Sequence, residues 1–342
     1  MARQAFTGPG DRSAEANWTL TQRPRALKIS LMRTPIHLSR NFRAIDESKI
    51  SLIETSLRGN YFGRFPEGYL ATDWGKNDLQ NHLFRRLDAD RNMIVPWLDA
   101  VRPLRNASIL EIGCGTGCST VALAEQGAEV TAVDVDESSL VVASERCRAY
   151  GLNVDFAHAN ATQVHQLFAG RHFDYIIFYA ALEHMTMEER MSSMRATWQM
   201  LSPGDLWCVI ETPNRLWYYD AHTSLLPFHM WLPDELAFAY SRFSPRQNYR
   251  ERYRECTDEG MLDFLRRGRG VSFHEFELAM EPLNALKIKS SLNTTSNRSG
   301  VWRRLKWRFS NEARYISLLR RIAPELHEGF LQSSLYLIIE KG

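Results

Sequence analysis

The apolar residues of the chain follow two rhythms, and the change between them divides it. Over residues 46–102, Leu79, Leu83, Leu87, Met93, Ile94 and Trp97 recur at roughly helical spacing before Pro103. That spacing predicts a helical segment packed over the opening of the next, differently patterned one. From Ala107 short apolar runs at 108–112, 129–133, 154–158, 175–178 and 206–211 read as strands. Helical stretches at 120–126, 136–149 and 187–201 lie between them, stopped by Gly127, by Gly151 and by Pro203-Gly204. Strands alternating with helices in this way predict an α/β fold with a parallel, doubly wound sheet.

After Thr212 the rhythm breaks. Residues 213–270 are rich in aromatic side chains and read as a lid inserted over the carboxyl edge of the sheet. A helix at 274–280, a strand at 286–290, a basic amphipathic helix at 300–323 and a closing strand at 334–340 complete the pattern. The expected organisation is a basic arm (1–45), a helical cover (46–106), a nucleotide-type core (107–212), the lid (213–270), and a return to the core with the basic helix inserted (271–342).

Composition narrows the function classes. Lys plus Arg is 42 and Asp plus Glu is 40 in 342 residues, a net charge of +2 that argues against a surface built to grip nucleic acid. The longest apolar run, near residues 175–182, is far short of the ~20 residues of a membrane span, and no leader-like segment opens the chain. The five cysteines are odd in number and two of them flank a glycine loop, which points to a reducing, cytoplasmic setting without a disulfide framework. Charge is unevenly spread, however. Eight basic residues in the first 43 face only Asp11 and Glu15, and eight between Arg298 and Arg321 face only Glu312. The acid-poor start also has an organelle transit peptide as its weaker reading.

The chemistry begins at Ile109-Leu110-Glu111-Ile112-Gly113-Cys114-Gly115-Thr116-Gly117, which ends a strand and opens a helix. Glycines at such a bend let backbone approach a ligand closely. Glu111 would repel a pyrophosphate, whereas a sulfonium and an ammonium suit a nearby carboxylate. Asp134 ends the next strand, where an acid can accept both hydroxyls of a ribose, with Val135 beside it. Asn160-Ala161 follows the third strand, where a short amide can reach an adenine edge.

With these residues the chain resembles the class I S-adenosylmethionine-dependent methyltransferases. The matching pieces are Glu111–Gly117, Asp134, Asn160-Ala161, Phe173-Asp174 and Leu182-Glu183-His184-Met185. The resemblance covers about residues 78–215 and is nearest to small-molecule O-methyltransferases of the ubiquinone-biosynthesis and sugar-modifying kind. It implies a mostly parallel, seven-stranded, Rossmann-like methyltransferase sheet. It also implies S-adenosyl-L-methionine as cofactor, held by Glu111, Gly113, Cys114, Gly115, Gly117, Asp134, Val135, Asn160, Ala161 and Tyr179. Two positions depart from the pattern. Asn160 stands where many members have Asp, and Ala180 where many have an acidic or polar residue.

Methyl transfer is an in-line displacement that excludes water, aligns the nucleophile and often removes its proton. In a doubly wound sheet that chemistry sits beyond the carboxyl ends of the strands. Two segments fall there. In the first, His184 is a candidate base and Glu183 orients it or meets substrate; the alternative is a plain helix start. In the second, Asp220 and His222 form a candidate orienting pair, and Arg215, Trp217, Tyr218, His229 and Trp231 are candidate substrate contacts. The alternative is a packed loop whose histidines satisfy backbone groups. Asp220, His222 and His229 could also gather a divalent ion, but their spacing is not diagnostic and no metal site is assigned.

Base-acting amino-methyltransferases carry Asp or Asn, Pro-Pro and an aromatic where this chain has Tyr179-Ala180-Ala181-Leu182, and none of the five cysteines lies next to a proline as the nucleophile of cytosine-C5 enzymes does. Cyclopropane-forming lipid enzymes share the Glu-His pair and remain a minority reading. The expectation is therefore methyl transfer to a hydroxyl of a small molecule, a sugar, glycan or polar aromatic. The alternatives are a lipid-linked substrate reached with residues 300–323 on a membrane surface, and a non-catalytic cofactor-binding scaffold.

Overall fold

The computed structural model describes residues 41–292 and 310–342. The basic arm expected at 1–45 lies outside them except for residues 41–45, as do residues 300–309 of the expected basic helix.

Seven strands form one sheet: β1 (Ser108–Ile112), β2 (Glu129–Asp134), β3 (Asp155–His158), β4 (Tyr175–Tyr179), β5 (Leu206–Pro213), β6 (Lys287–Ser291) and β7 (Ser334–Glu340). Their order across the sheet is β3-β2-β1-β4-β5-β7-β6. The first five are parallel, and β7 runs antiparallel to both β5 and β6. The sequence order reverses between β1 and β4, which places the site beyond the carboxyl ends of those two strands. β1 and β4 are almost wholly buried, as parallel strands covered on both faces must be.

Among the described residues the helices are, in chain order, α1 (Glu47–Ser56), α2 (Asp73–Gln80), α3 (Arg86–Ala89), α4 (Val95–Asp99), α5 (Cys118–Ala124), α6 (Glu137–Ala149), α7 (Val164–Leu167) and α8 (Met187–Met200), then α9 (Asp234–Tyr240), α10 (Gln247–Arg252), α11 (Asp258–Arg266), α12 (Phe273–Ala279) and α13 (Asn311–Ile322). Their starts are written in the sequence. Thr186 and Glu189 form a reciprocal cap on α8, and Ser272 and Glu275 do the same on α12. One apolar layer, with Leu110, Ile176, Trp207 and Leu337, fills one face of the sheet; another, with Ile109, Val121, Ile177 and Ile338, fills the other.

The helical cover is not one regular helix. Three π-helical turns, Leu57–Tyr61, Asn81–Arg85 and Asp90–Ile94, interrupt it. Such turns shift side chains out of the 3.6-residue register, and they cluster at functional sites. Here they lie where Tyr61, Asn81, Arg85 and Asp90 reach the cavity at the carboxyl ends of the strands.

His82, in the second of these turns, ties the cover to the core. It is buried, and its Nδ1 lies 2.9 Å from Thr116 Oγ1 in the glycine loop. Burial pushes its pKa down to about 3, with the neighbouring arginines adding to the effect. The unfolded chain takes up that proton near pH ~6.5. The stability His82 confers is thus complete above about 6.5, falls as the pH drops below it, and levels off near 3. Between pH 7 and 5.5 this group should cost about 1 kcal/mol, read by urea denaturation. His82→Gln should remove that part of the slope; an unchanged slope would mean that the ring is not buried neutral.

Candidate active site

The carboxyl ends of β1, β2, β4 and β5 open into one cavity of about 1070 Å³. That is room for a nucleoside-sized cofactor with a second molecule beside it. Its floor is the glycine loop. Gly113, Gly115 and Gly117 have φ of 86°, 50° and 79°. A Cβ on Gly113 would lie 2.7 Å from both Tyr179 O and Ala181 Cβ, and one on Gly117 would meet Ala143. Nothing stands within 4 Å of a Cβ on Gly115, so there the backbone faces open space and a ligand can approach it.

Asp134 sits at the rim of this loop. Its Oδ2 accepts from Gly115 N at 2.7 Å and its Oδ1 from Asp136 N at 2.9 Å. Burial raises its pKa against the effect of these bonds. Both oxygens keep lone pairs that a ribose diol can use. Val135, Ala159 and Ala161 add apolar wall, and Cys114 lines the same end. Asn160 spends its Oδ1 on Thr162, accepting from its N and Oγ1 at 3.0 Å each, so its NH₂ is the group left to face an adenine acceptor. Tyr179 also lines the cavity and donates its hydroxyl to Asp90 Oδ1 at 2.5 Å. Burial holds the Asp90 carboxyl well above the usual carboxylate range.

Two of the expected cofactor residues do not line the cavity. Glu111 is wholly buried behind the loop, where Ser119 and Thr120 donate to its two oxygens, and burial raises its pKa to about 7. It fastens β1 to α5 rather than facing a sulfonium. Gly117 serves the close packing of α5 on α6.

The far end of the cavity is different in chemistry. β4 leaves the sheet through Ala180, whose φ is 43°, and a 3₁₀ turn, Leu182–His184. His184 Nδ1 donates to Arg266 O at 2.8 Å. His222 lies opposite, its Nδ1 2.9 Å from Thr223 Oγ1. Both rings line the cavity, with centroids 5.9 Å apart. Glu183 is fully buried beneath them; its Oε2 accepts from Thr212 Oγ1 at 3.0 Å. Its Oε1 has no hydrogen-bond donor and lies 3.9 Å from His184 Nε2 and 4.0 Å from His222 Nε2. Burial, and then the neighbouring His184, push the His222 pKa down to about 4.

Arg190 keeps this turn in place. It is buried, pairs with Glu275 at 2.9 Å, and donates to the carbonyls of Leu182 at 2.8 Å and Arg269 at 3.1 Å. Arg269 N in turn donates to Glu183 O at 2.8 Å.

The lid residues divide sharply. His222 alone of them reaches the cavity among those expected there. Asp220 is buried in its own turn, accepting from the backbone N of His222, Thr223 and Ser224 and from Ser224 Oγ. It positions His222 through the backbone and does not orient the ring. Trp217 and Tyr218 pack on Tyr315 of α13, and Trp231 Nε1 donates to Leu216 O. His229 is buried among Tyr240, Tyr249 and Phe264, with Asp220 3.4 Å away. Arg215 lies in the chain beside Val271, to which its N donates. Trp217 and His229 follow burial, Trp217 against α13 and His229 among the lid's own helices α9, α10 and α11, while Trp231 stays 44% exposed. The Asp220–His222–His229 metal grouping is not formed. Among the described residues the groups that bring three ligand atoms together are Glu183–His184–His222 and His172–Asp174–Asp205. Arg102 already pairs with both carboxylates of the second.

Several cavity residues escaped the sequence pattern: Arg86, Asp90, Glu211, Ser334 and Tyr336. Glu211 has φ 61° at a bulge in β5, which turns it toward the cavity. Its place at a strand's carboxyl end was a usable signal. Arg86 and Asp90, one helical turn apart in the cover, offered a weaker one.

A glycine loop open to ligand, a strand-end acid and a switch-point cavity define a nucleotide-type cofactor site. Residues 109–204 match the family described as a methyltransferase domain, and this core is a class I S-adenosylmethionine-dependent methyltransferase domain. The ubiquinone biosynthesis O-methyltransferase of Ruegeria pomeroyi is 35% identical over 118 residues, 34% of this chain and 46% of that one. The protein of the same name from Pseudomonas aeruginosa PAO1 is 32% identical over 135 residues, 40% of this chain and 56% of that one. The chain thus spans about half the length of the curated relatives it matches. Among solved structures, magnesium protoporphyrin IX methyltransferase from Synechocystis with bound S-adenosylmethionine is 21% identical, covering 50% of this chain and 79% of that one at a TM-score of 0.36.

Proposed function

We propose that the protein transfers a methyl group from S-adenosylmethionine to a hydroxyl of a small polar molecule. One observation carries this reading: a single cavity joins the Gly115–Asp134 end to a cluster of imidazole and carboxylate groups at His184, His222 and Glu183. The cofactor supplies an electrophilic methyl on a sulfonium. Asp134 holds its ribose, Asn160 and Ala161 its adenine, and the backbone of Gly113–Gly115 lies under the rest. An O-methyltransferase name on the relatives favours oxygen as the acceptor atom.

The acceptor hydroxyl docks at the two imidazoles. Each has its Nδ1 proton committed, His184 to a carbonyl and His222 to a threonine hydroxyl, so each turns an Nε2 lone pair inward. Lone pairs there draw on the hydroxyl's proton and raise electron density on its oxygen. Arg86 and Glu211 on the same walls supply a charge of each sign for polar groups of the acceptor.

His222→Ala should lower methyl transfer by roughly 100-fold or more, the usual range for losing a group that handles the proton. Cofactor affinity by calorimetry should stay within a few-fold. Transfer of labelled methyl to a panel of phenols, catechols and sugars is the measurement. Full turnover in the variant, or no transfer by the parent to any hydroxyl compound, would overturn the reading.

A further inference from the structure

Several buried side-chain polar atoms lack a hydrogen-bond partner, and among the described residues Glu183 Oε1 is the carboxylate oxygen of that group. It belongs to a side chain with no exposed surface, and no donor meets it. A buried carboxylate oxygen without a donor carries the full cost of its lost hydration. The nearest polar atoms are His184 Nε2 at 3.9 Å and His222 Nε2 at 4.0 Å.

Neither nitrogen carries a proton toward it. His184 Nδ1 is 2.8 Å from Arg266 O, and a carbonyl can only accept, so the ring's proton is on Nδ1. Thr223 Oγ1 donates to Gly268 O at 3.1 Å, so it accepts from His222 Nδ1, and that ring takes the same tautomer. Three acceptor atoms, one of them a carboxyl oxygen, therefore converge with no hydrogen bond between them. A buried convergence of acceptors is stable around a cation.

We infer that Glu183, His184 and His222 bind a divalent first-row transition ion at the acceptor end of the cavity. Two imidazoles and one carboxylate are the ligand set of Zn²⁺, Mn²⁺, Co²⁺ or Fe²⁺, not of Mg²⁺ or Ca²⁺. The supporting bonds to Arg266 O and Thr223 Oγ1 are the outer contacts that orient metal-binding imidazoles. Metal–ligand distances of ~2.1 Å require the three atoms to draw in by some tenths of an ångström. His184 and His222 reach the cavity with side chains 43% and 39% exposed, so the ring movement is open to them and free positions on the ion face the cavity. There the ion would take the acceptor's hydroxyl oxygen and, with the imidazole lone pairs committed to it, would itself lower the hydroxyl's pKa so that the proton leaves to solvent; a vicinal diol or catechol would occupy two positions. The substrate part of this inference rests on the methyl-transfer reading; the ion site does not.

The probe is Co²⁺ and Zn²⁺ added to full-length protein stripped with chelator. One equivalent should bind, with visible Co²⁺ bands of an N/O-ligated site displaced by Zn²⁺. Glu183→Gln and His222→Asn should each weaken binding at least 10-fold while S-adenosylmethionine affinity is kept. His222 is exposed, so its variant tests the site even if Glu183→Gln does not fold. Binding unchanged in His222→Asn, or no stoichiometric binding by the parent, would overturn the site. Ion binding without methyl transfer to any hydroxyl would overturn the function and leave the site standing; transfer at full rate in chelator-stripped protein would overturn the ion's place on the acceptor hydroxyl and leave the function standing.

Discussion

Arg190→Ala should destabilise the protein by about 3–5 kcal/mol, the cost of leaving a buried carboxylate without its partner. Arg190 and Glu275 are 2% and 3% exposed and 2.9 Å apart. The variant leaves Glu275 Oε2 without its cation, while Oε1 still accepts from Ser272 N, and takes the guanidinium donor from the carbonyls of Leu182 and Arg269. Its effect should reach function even where the chain still folds. The Leu182–His184 turn keeps its direct bond from Arg269 N to Glu183 O but loses the guanidinium that spans the carbonyls of Leu182 and Arg269, so His184 is held less firmly. Chemical denaturation measures the first effect, and methyl transfer under conditions where the fold persists measures the second. A double variant Arg190→Met with Glu275→Gln should recover part of the stability, because it removes both charges together and leaves an oxygen to accept from Ser272 N. A loss under 1 kcal/mol in Arg190→Ala would show that water reaches the pair.

Asp134→Ala should cut affinity for S-adenosylmethionine by roughly 100-fold or more. Two charge-assisted hydrogen bonds to a ribose diol are worth about that much. The carboxylate also accepts from Gly115 N and Asp136 N, so part of the loss would come from the loop. Asp134→Asn separates the two contributions: it keeps an oxygen for one backbone donor and loses the charge, and should fall between parent and alanine variant. Isothermal calorimetry reads both. Affinity in Asp134→Ala within three-fold of the parent would remove Asp134 from the cofactor site.

The sheet was legible because its physics is local. The strands expected at 108–112 and 334–340 coincide with the observed ones, and the others agree within a residue or two, since continuous apolar runs between glycine and proline stops have few other solutions. Gly113, Gly115 and Asp134 were legible for the same reason: a bend with φ above zero and an acid at the next strand's end are sequence events. Glu111 shows where this fails. An acid next to the loop reads the same whether it faces the ligand or turns behind the strand, and only the hydroxyls of Ser119 and Thr120 decide. The lid failed more widely. Its aromatics and histidines carry no period, so the sequence does not say that Trp217 and His229 turn inward to pack while His222 alone turns to the cavity. Glu183 was visible as a residue, but its partnership with His222 joins segments far apart in the chain, which no spacing rule reaches.

The position of β7 has a consequence for how the site comes into being. It lies between β5 and β6, both of which leave the ribosome before it, and it carries Ser334 and Tyr336 into the cavity wall. A nascent chain can therefore complete β1 to β5 and its cofactor-binding loop while the acceptor side still has an open edge at β5. Such an edge is a template for pairing with other chains. Nascent molecules stalled before residue 334 should bind cofactor yet aggregate, and maturation of the acceptor pocket becomes the slow, non-local step of folding.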